Sequence, residues 1–494
     1  MAESNRHTDP DTSHGARPRL ARGTLQVLAS EGLALPTGMI LAAVVARTLG
    51  PGGYGVFALA VSMTATAEWL IGALFSRATI TIVGGSGERP PASAVLRWHL
   101  LVGGAAGIGF WLAAERLAGA MQEPAIKTCL RLLAFEVPLV ALSGGCRSIL
   151  TGHGRFGARA IAGAVRWVAR LACVGTLVAL GFSISGAAAG SVIAAAITLA
   201  VALLFVRPLI ESGPARLPAG FWRVALPAFL LAMSLRLLDK VGLVALKSFG
   251  ATTADVGWYA AAQNFSIAPG LFVISFSPLL LSTLTRLLHD GHTDDARALG
   301  RDALRLTVLG APILAMAAGS ASEVVGLVYG SGFLPAAPLA TPFLAAAFSV
   351  AGISVASALL TALGRAREAG RSTWPILPVA LVGYAMVVPR WGAMGAAMVT
   401  ALAATIGATL SLRSVYRAWQ VAPPLSSAAR SMVVTIGSYV VAMAWPTPGG
   451  WWFLKVAVMV PAIGAAYLVL GEWTRDEVSR ITRFVAMSVR RTDH

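Results

Sequence analysis

Several ionisable residues of this chain sit inside apolar, helix-length stretches, where charge is expensive. Between Phe221 and Phe249 such a stretch is interrupted by Arg236, Asp239 and Lys240. On insertion scales each charge at the centre of a spanning helix costs about 2.5–3.5 kcal/mol, so these three should face a cavity and not lipid. Spacings of three and four residues place them on one helical face. Arg236 and Lys240 could there attract an anion. Asp239 could equally do no more than neutralise one of them.

A second basic pair, Arg166 and Arg170, lies four residues apart in another apolar stretch. Both either line a cavity or snorkel to the nearby interface. Carboxylates also fall inside expected spans, at Glu31, Glu68, Glu136, Asp239 and Glu323. A carboxylate in hydrocarbon must be paired, protonated or wet. Glu31 and Glu68 are therefore candidates for coupling an ion, Na+ or H+, with simple charge pairing as the alternative. Glu31 stands close to Pro36, where a bend is expected. Glu323 lies near the outer end of its stretch, within reach of water.

Other chemistry is excluded by context. Gly152 to Gly157 reads GHGRFG and fits a dinucleotide fingerprint, but joins two spanning stretches instead of a strand and a helix. No phosphate-binding P-loop occurs, which argues against direct ATP hydrolysis. The histidines form no HExxH set, and His99 is read as a packing residue before a proton relay. Cys129, Cys146 and Cys173 lack metal-ligand spacing and are read as small buried hydrophobes. Neither a metal site nor a cofactor is expected, apart from the coupling ion.

The elements that must position these residues follow from composition. Of 494 residues, 56% are hydrophobic and only 12% charged, the profile of a polytopic membrane protein. A net charge of +17 would suggest nucleic acid in a soluble chain. Here the basic residues lie between apolar stretches, where membrane orientation accounts for them. The expected fold is all-α, with about fourteen transmembrane helices of roughly twenty residues each. Residues 1–22 read as a polar cytoplasmic tail, 23–206 as a six-helix bundle, 207–220 as a cytoplasmic linker, and 221–414 as a second six-helix bundle. Two further spans occupy 428–471, and 472–494 read as a basic amphipathic tail on the inner surface. No connection leaves room for a soluble catalytic domain.

Lys and Arg distribute unevenly over the connections. One alternate set is rich in them, as at Arg297, Arg301 and Arg305, whereas the other holds only Arg47, Arg116, Lys127, Arg131, Lys247, Arg390 and Lys455. The positive-inside rule then puts both termini in the cytoplasm and the chain in the plasma (inner) membrane.

The halves also resemble each other. Gly50 matches Gly250, Gly55 matches Gly257, TGHGR at Thr151–Arg155 matches TALGR at Thr361–Arg365, and Gly186-Ala187-Ala188 recurs as Gly395-Ala396-Ala397. Six spans separate matched points, so the halves share one orientation and are parallel repeats about an axis along the membrane normal. A site between such halves, exposed to each side in turn by rocking, is the expected working arrangement. The first-half counterparts of Arg236, Asp239 and Lys240 are Pro36, Met39 and Ile40, so the symmetry breaks where charge appears.

RTLGPGGYG at Arg47–Gly55 followed by VFALA, VGWYAAA at Val256–Ala262, LVYGSGF at Leu327–Phe333 and TALGRAR at Thr361–Arg367 together carry a family resemblance. The chain resembles the polysaccharide transporters, or O-antigen and lipid-linked oligosaccharide flippases, of the multidrug/oligosaccharidyl-lipid/polysaccharide exporter superfamily. That resemblance implies two bundles that flip undecaprenyl-pyrophosphate-linked oligosaccharide from inner to outer leaflet, alongside a polysaccharide polymerase and glycosyltransferases as partners. Under it, Arg236 and Lys240 would attract the pyrophosphate, Arg166 and Arg170 would assist, and Trp258 and Tyr259 could stack on sugars. Two alternatives stay open: a cation-coupled multidrug exporter of the same superfamily, whose cavity would be carboxylate-lined and aromatic, and a non-transporting scaffold for polysaccharide synthesis.

Overall fold

A computed structural model describes residues 26–27, 29–84, 92–210 and 240–473. Arg236, Asp239, the expected tail at 1–22, all but the first two residues of the expected tail at 472–494, and most of the linker and seventh span lie outside the described residues. Within them all regular structure is helical. The chain divides into two compact units, Met1–Ala260 and Ala261–His494.

Nine described stretches are long and apolar enough to cross a membrane. Two of them, Ala29–Ser76 and Ala366–Trp419, run 48 and 54 residues, about twice what one crossing needs. Glycine explains both. The first helix, α1 (Ala34–Gly84), turns at Gly50 with φ 68°, just ahead of Pro51; only glycine takes such a φ without cost. Each long stretch thus holds two of the expected spans.

The rest of the first unit comprises α2 (Ala92–Ala120), α3 (Pro124–Leu133), α4 (Glu136–Gly152), α5 (Phe156–Ala179) and α6 (Ser183–Val206), then α7 (Thr253–Gln263). The span expected over 129–150 is broken into α3 and α4. Pro138 is the cause, since it donates no hydrogen bond to Ala134 and its ring crowds that carbonyl. α2 fits against the break with glycine: a Cβ at Gly107 would lie 2.6 Å from the Ala134 carbonyl oxygen, and one at Gly103 would lie 2.7 Å from the Ala141 side chain. The result is a bend that carries Glu136 in its first helical turn.

α7 starts from a reciprocal cap. Thr252 donates its hydroxyl and its backbone N–H to the Asp255 carboxylate at 2.7 and 3.0 Å, and Asp255 N–H returns to the Thr252 hydroxyl at 3.1 Å. That helix then crosses α1 with no room for side chains. A Cβ at Gly55 would sit 1.9 Å from the Thr253 carbonyl, and one at Gly257 would sit 2.1 Å from that of Pro51. Gly55 of RTLGPGGYG and Gly257 of VGWYAAA are therefore packing requirements.

The second unit continues with α8 (Ile267–His289), α9 (Thr293–Leu309), α10 (Ala311–Gly319), α11 (Ala321–Tyr329), α12 (Ala337–Ala362), α13 (Ala366–Thr373), α14 (Ile376–Trp419), α15 (Leu425–Ala444) and α16 (Trp452–Val469). α14 is the second long element and bends at Gly392, φ 51°. Local geometry repeats what the sequence match suggested. Gly154 and Gly364 both take positive φ, 70° and 74°, and each donates to the Thr three residues earlier at 3.0 Å. Ser183, the first residue of α6, has φ 58°, and its counterpart is the Gly392 bend. A size exchange accompanies them: Gly190 of α6 lies against Val174 of α5, whereas at the counterpart positions Val399 lies against Gly383.

α15 and α16 are fixed to this unit by polar clusters at both ends. Lys455, fully buried, donates to both oxygens of Glu323 on α11 at 2.8 and 3.0 Å and to the Ala442 carbonyl at 2.6 Å; Thr447 caps the same carboxylate through its N–H and hydroxyl. At the other end the Glu472 carboxylate receives Arg305, Arg430 and Ser427. Between these ends, the Tyr467 hydroxyl bridges the Leu309 carbonyl and Ser431 at 3.1 and 3.0 Å. The outer face of α15 exposes Met432, Val433, Ile436 and Val440, which suits lipid contact.

Candidate functional site

α4, α5 and α6 of the first unit line a small, partly open pocket with a cavity volume of about 10 Å³, room for about one water. Arg166 and Arg170 come from α5, Glu136 and Ser143 from α4, Ser191 and Thr198 from α6. The bend at Pro138 brings Glu136 there, and the first turn of a helix favours a carboxylate through its dipole. Glu136 is 4% exposed. Arg166 lies over the Trp167 ring, 5.1 Å from its centroid, a cation–π contact that holds a guanidinium without neutralising it.

Hydrogen bonding separates the lining groups into satisfied and open ones. Ser143 and Thr198 donate to carbonyls of their own helices, Val140 at 3.0 Å and Ala194 at 2.7 Å. Ser191, buried at 1% exposure, has no partner for its hydroxyl, and neither has Arg170 Nε. Such atoms are open to water or a ligand. Two guanidiniums beside a buried open hydroxyl are suited to an oxyanion such as a phosphate, which accepts from every one of these donors.

Further charges surround the pocket. Glu68 of α1 lies in the electrostatic field of Glu136, Arg166, Arg170 and Arg147. Arg147 of α4 lies in turn in the electrostatic field of Glu31 and Arg159. Glu31 receives Arg159 at 3.4 Å, and Gly163 lets α5 approach Ser30 and Glu31 at this point. Arg159, Arg166 and Arg170 form one stripe on α5, because offsets of 7 and 11 residues fall within about 40° of a helical face.

The structure therefore brings together Arg166, Arg170 and, within their field, Glu68. Glu31 is engaged at the Arg159 end of the same stripe. Lys240 is half-buried at the start of the helical residues 240–248 and is not among those lining the pocket. Arg236 and Asp239 lie outside the described residues. The sequence marks Glu136 only as a carboxylate inside a span, and Arg147, Arg159 and Ser191 join the site through the packing of the helices. The period of arginines from 159 to 170 is the available signal. Nothing in the sequence marks Ser191.

Two compact helical units, spans folded at glycine and a charged pocket inside the membrane-spanning helices define the class as a polytopic membrane transporter. The fold matches solved structures of that class. The Lipid II flippase MurJ, in an inward closed conformation, superposes with a TM-score of 0.76 at 15% identity, covering 91% of this chain and 98% of that protein. A multidrug resistance MATE family transporter of the MOP superfamily gives 0.56 at 14% identity, with 81% and 96% covered. The MATE transporter VcmN of Vibrio cholerae gives 0.55 at 16% identity, with 82% and 96% covered. No curated protein matches the chain in sequence. The profile of a family described as "Polysaccharide biosynthesis protein" matches residues 20–280, and the chain belongs to that family.

Proposed function

We propose that this protein is a flippase that moves undecaprenyl-pyrophosphate-linked oligosaccharide from the inner to the outer leaflet by alternating access, with both termini in the cytoplasm. One observation carries the reading: Arg166, Arg170 and the open Ser191 hydroxyl line one pocket within membrane-spanning helices. A pyrophosphate cannot cross hydrocarbon unaided, whereas its lipid tail can remain in the bilayer. A wet basic path meets that need. Arg236 and Lys240 belong to the same path in this reading, with Asp239 as their internal counter-charge. Glu31 and Glu68 are the candidate sites for a coupling ion, Na+ or H+. Family membership supports the polysaccharide setting, and with it a polymerase and glycosyltransferases as partners.

A cation exporter would need its carboxylates to dominate the cavity. Here two guanidiniums face one carboxylate in the pocket, which favours an anionic cargo. A scaffold without transport would tolerate loss of these charges.

Complementation of cells lacking a polysaccharide flippase, with lipid-linked intermediates measured in each leaflet, separates these readings. The double variant Arg166→Ala, Arg170→Ala is expected to lose export at normal protein level, with intermediates retained in the inner leaflet. Full export by this variant, and by Arg236→Ala, Lys240→Ala beside it, would sink the anion-path reading.

A further inference from the structure

We propose that Glu136 is the residue that keeps the pocket's hold on an anionic headgroup weak enough for release, acting as a resident negative charge opposed to that of the ligand. The proposal rests on the reading that Arg166 and Arg170 receive a phosphate-bearing lipid headgroup.

A carboxylate whose only task was to neutralise two arginines would touch them. Buried ion pairs offset their desolvation only through direct, well-formed contact, as Glu323 and Lys455 do elsewhere in this chain at 2.8 Å. Glu136 does not. Among the described residues it forms no ion pair with Arg166 or Arg170, although all three line one space. The donors that face the space remain available, Arg170 Nε and the Ser191 hydroxyl being buried without partners. The carboxylate therefore lines the same small pocket as the groups that would bind an anion, out of ion-pair contact with them. Its position is built in, since the Pro138 bend, seated on Gly103 and Gly107, fixes Glu136 at 4% exposure.

A charge so placed repels an incoming phosphate while leaving its donors in reach. A transporter needs this combination, because a site must bind well enough to load and weakly enough to empty. Coulomb repulsion grows with ligand charge, so the opposition must be stronger for a pyrophosphate than for a monophosphate. Packing effects carry no such dependence.

The test uses the full chain in lipid nanodiscs with undecaprenyl pyrophosphate and undecaprenyl monophosphate as probes. Glu136→Gln is expected to tighten pyrophosphate binding about ten-fold or more, to tighten monophosphate binding less, and to slow export in cells as release becomes limiting. The double variant Glu136→Gln, Arg170→Gln should return towards wild-type affinity. Val140→Glu adds a second carboxylate to the pocket wall one turn along α4 and should weaken pyrophosphate binding more than monophosphate binding; it decides the matter should Glu136→Gln not fold. Unchanged or equally shifted affinity for both probes, in a variant that melts as wild type does, would overturn the role of Glu136. If Arg166→Gln and Arg170→Gln also leave pyrophosphate binding unchanged, the headgroup reading itself fails. If those two weaken binding, the reading stands without Glu136.

Discussion

At the scale of single residues, the contrast between carboxylates is informative. Glu472 lies just beyond α16, nearly inaccessible, and burial alone would raise its pKa; hydrogen bonds from Ser427, Arg305 and Arg430 outweigh that and hold it below the usual carboxylate range. A group lowered on folding contributes stability above its unfolded pKa and loses it as the pH falls through the folded value. Wild-type protein should therefore melt several degrees above Glu472→Gln at pH 7, and the gap should close as the pH falls through the lowered pKa of Glu472. A gap independent of pH would refute the linkage. Glu136 instead leaves donors open around it, and that difference separates a structural carboxylate from one proposed to act on a ligand.

At the scale of elements, helices are positioned by what they lack. Gly55 and Gly257 let α1 and α7 touch backbone to backbone, and Gly103 and Gly107 seat the Pro138 bend. α15 and α16 are instead held by what they carry. Removing one partner of a buried ion pair leaves the other uncompensated, at a cost of about 3–5 kcal/mol, whereas replacing both by apolar residues is far milder. Lys455→Met should thus lower the melting temperature of the detergent-solubilised protein sharply, and Lys455→Met, Glu323→Leu should recover most of the loss. Equal loss in single and double variants would show that the ion pair is not what fixes α16 to α11.

At the scale of the whole molecule, orientation sets the direction of transport. The Arg-rich connection after α8 is expected inside and the α2–α3 connection outside. With cysteine introduced at Asp290 and at Gln122 in turn, a membrane-impermeant thiol reagent added to intact cells should label Gln122→Cys alone. Labelling of Asp290→Cys alone would reverse the assignment and the proposed direction of flipping.

The sequence by itself determined the all-helical membrane class, because a long apolar stretch has no other way to satisfy its backbone in lipid. It also held the repeat. Gly154 and Gly364 share one φ because each ends a helix with the same turn, a local property that a short motif can carry. The pocket was legible only in part. Arg166 and Arg170 announced themselves by their cost in hydrocarbon and their spacing. The involvement of Glu136 depended on a bend made by Pro138 and accepted by glycines of another helix, and the open hydroxyl of Ser191 on what its neighbours failed to donate or accept. Such facts are contacts between segments distant in sequence. Helical period fixes which face a residue occupies, whereas only the packing of α4, α5 and α6 decided which faces enclose a space and which of their groups remain free to bind.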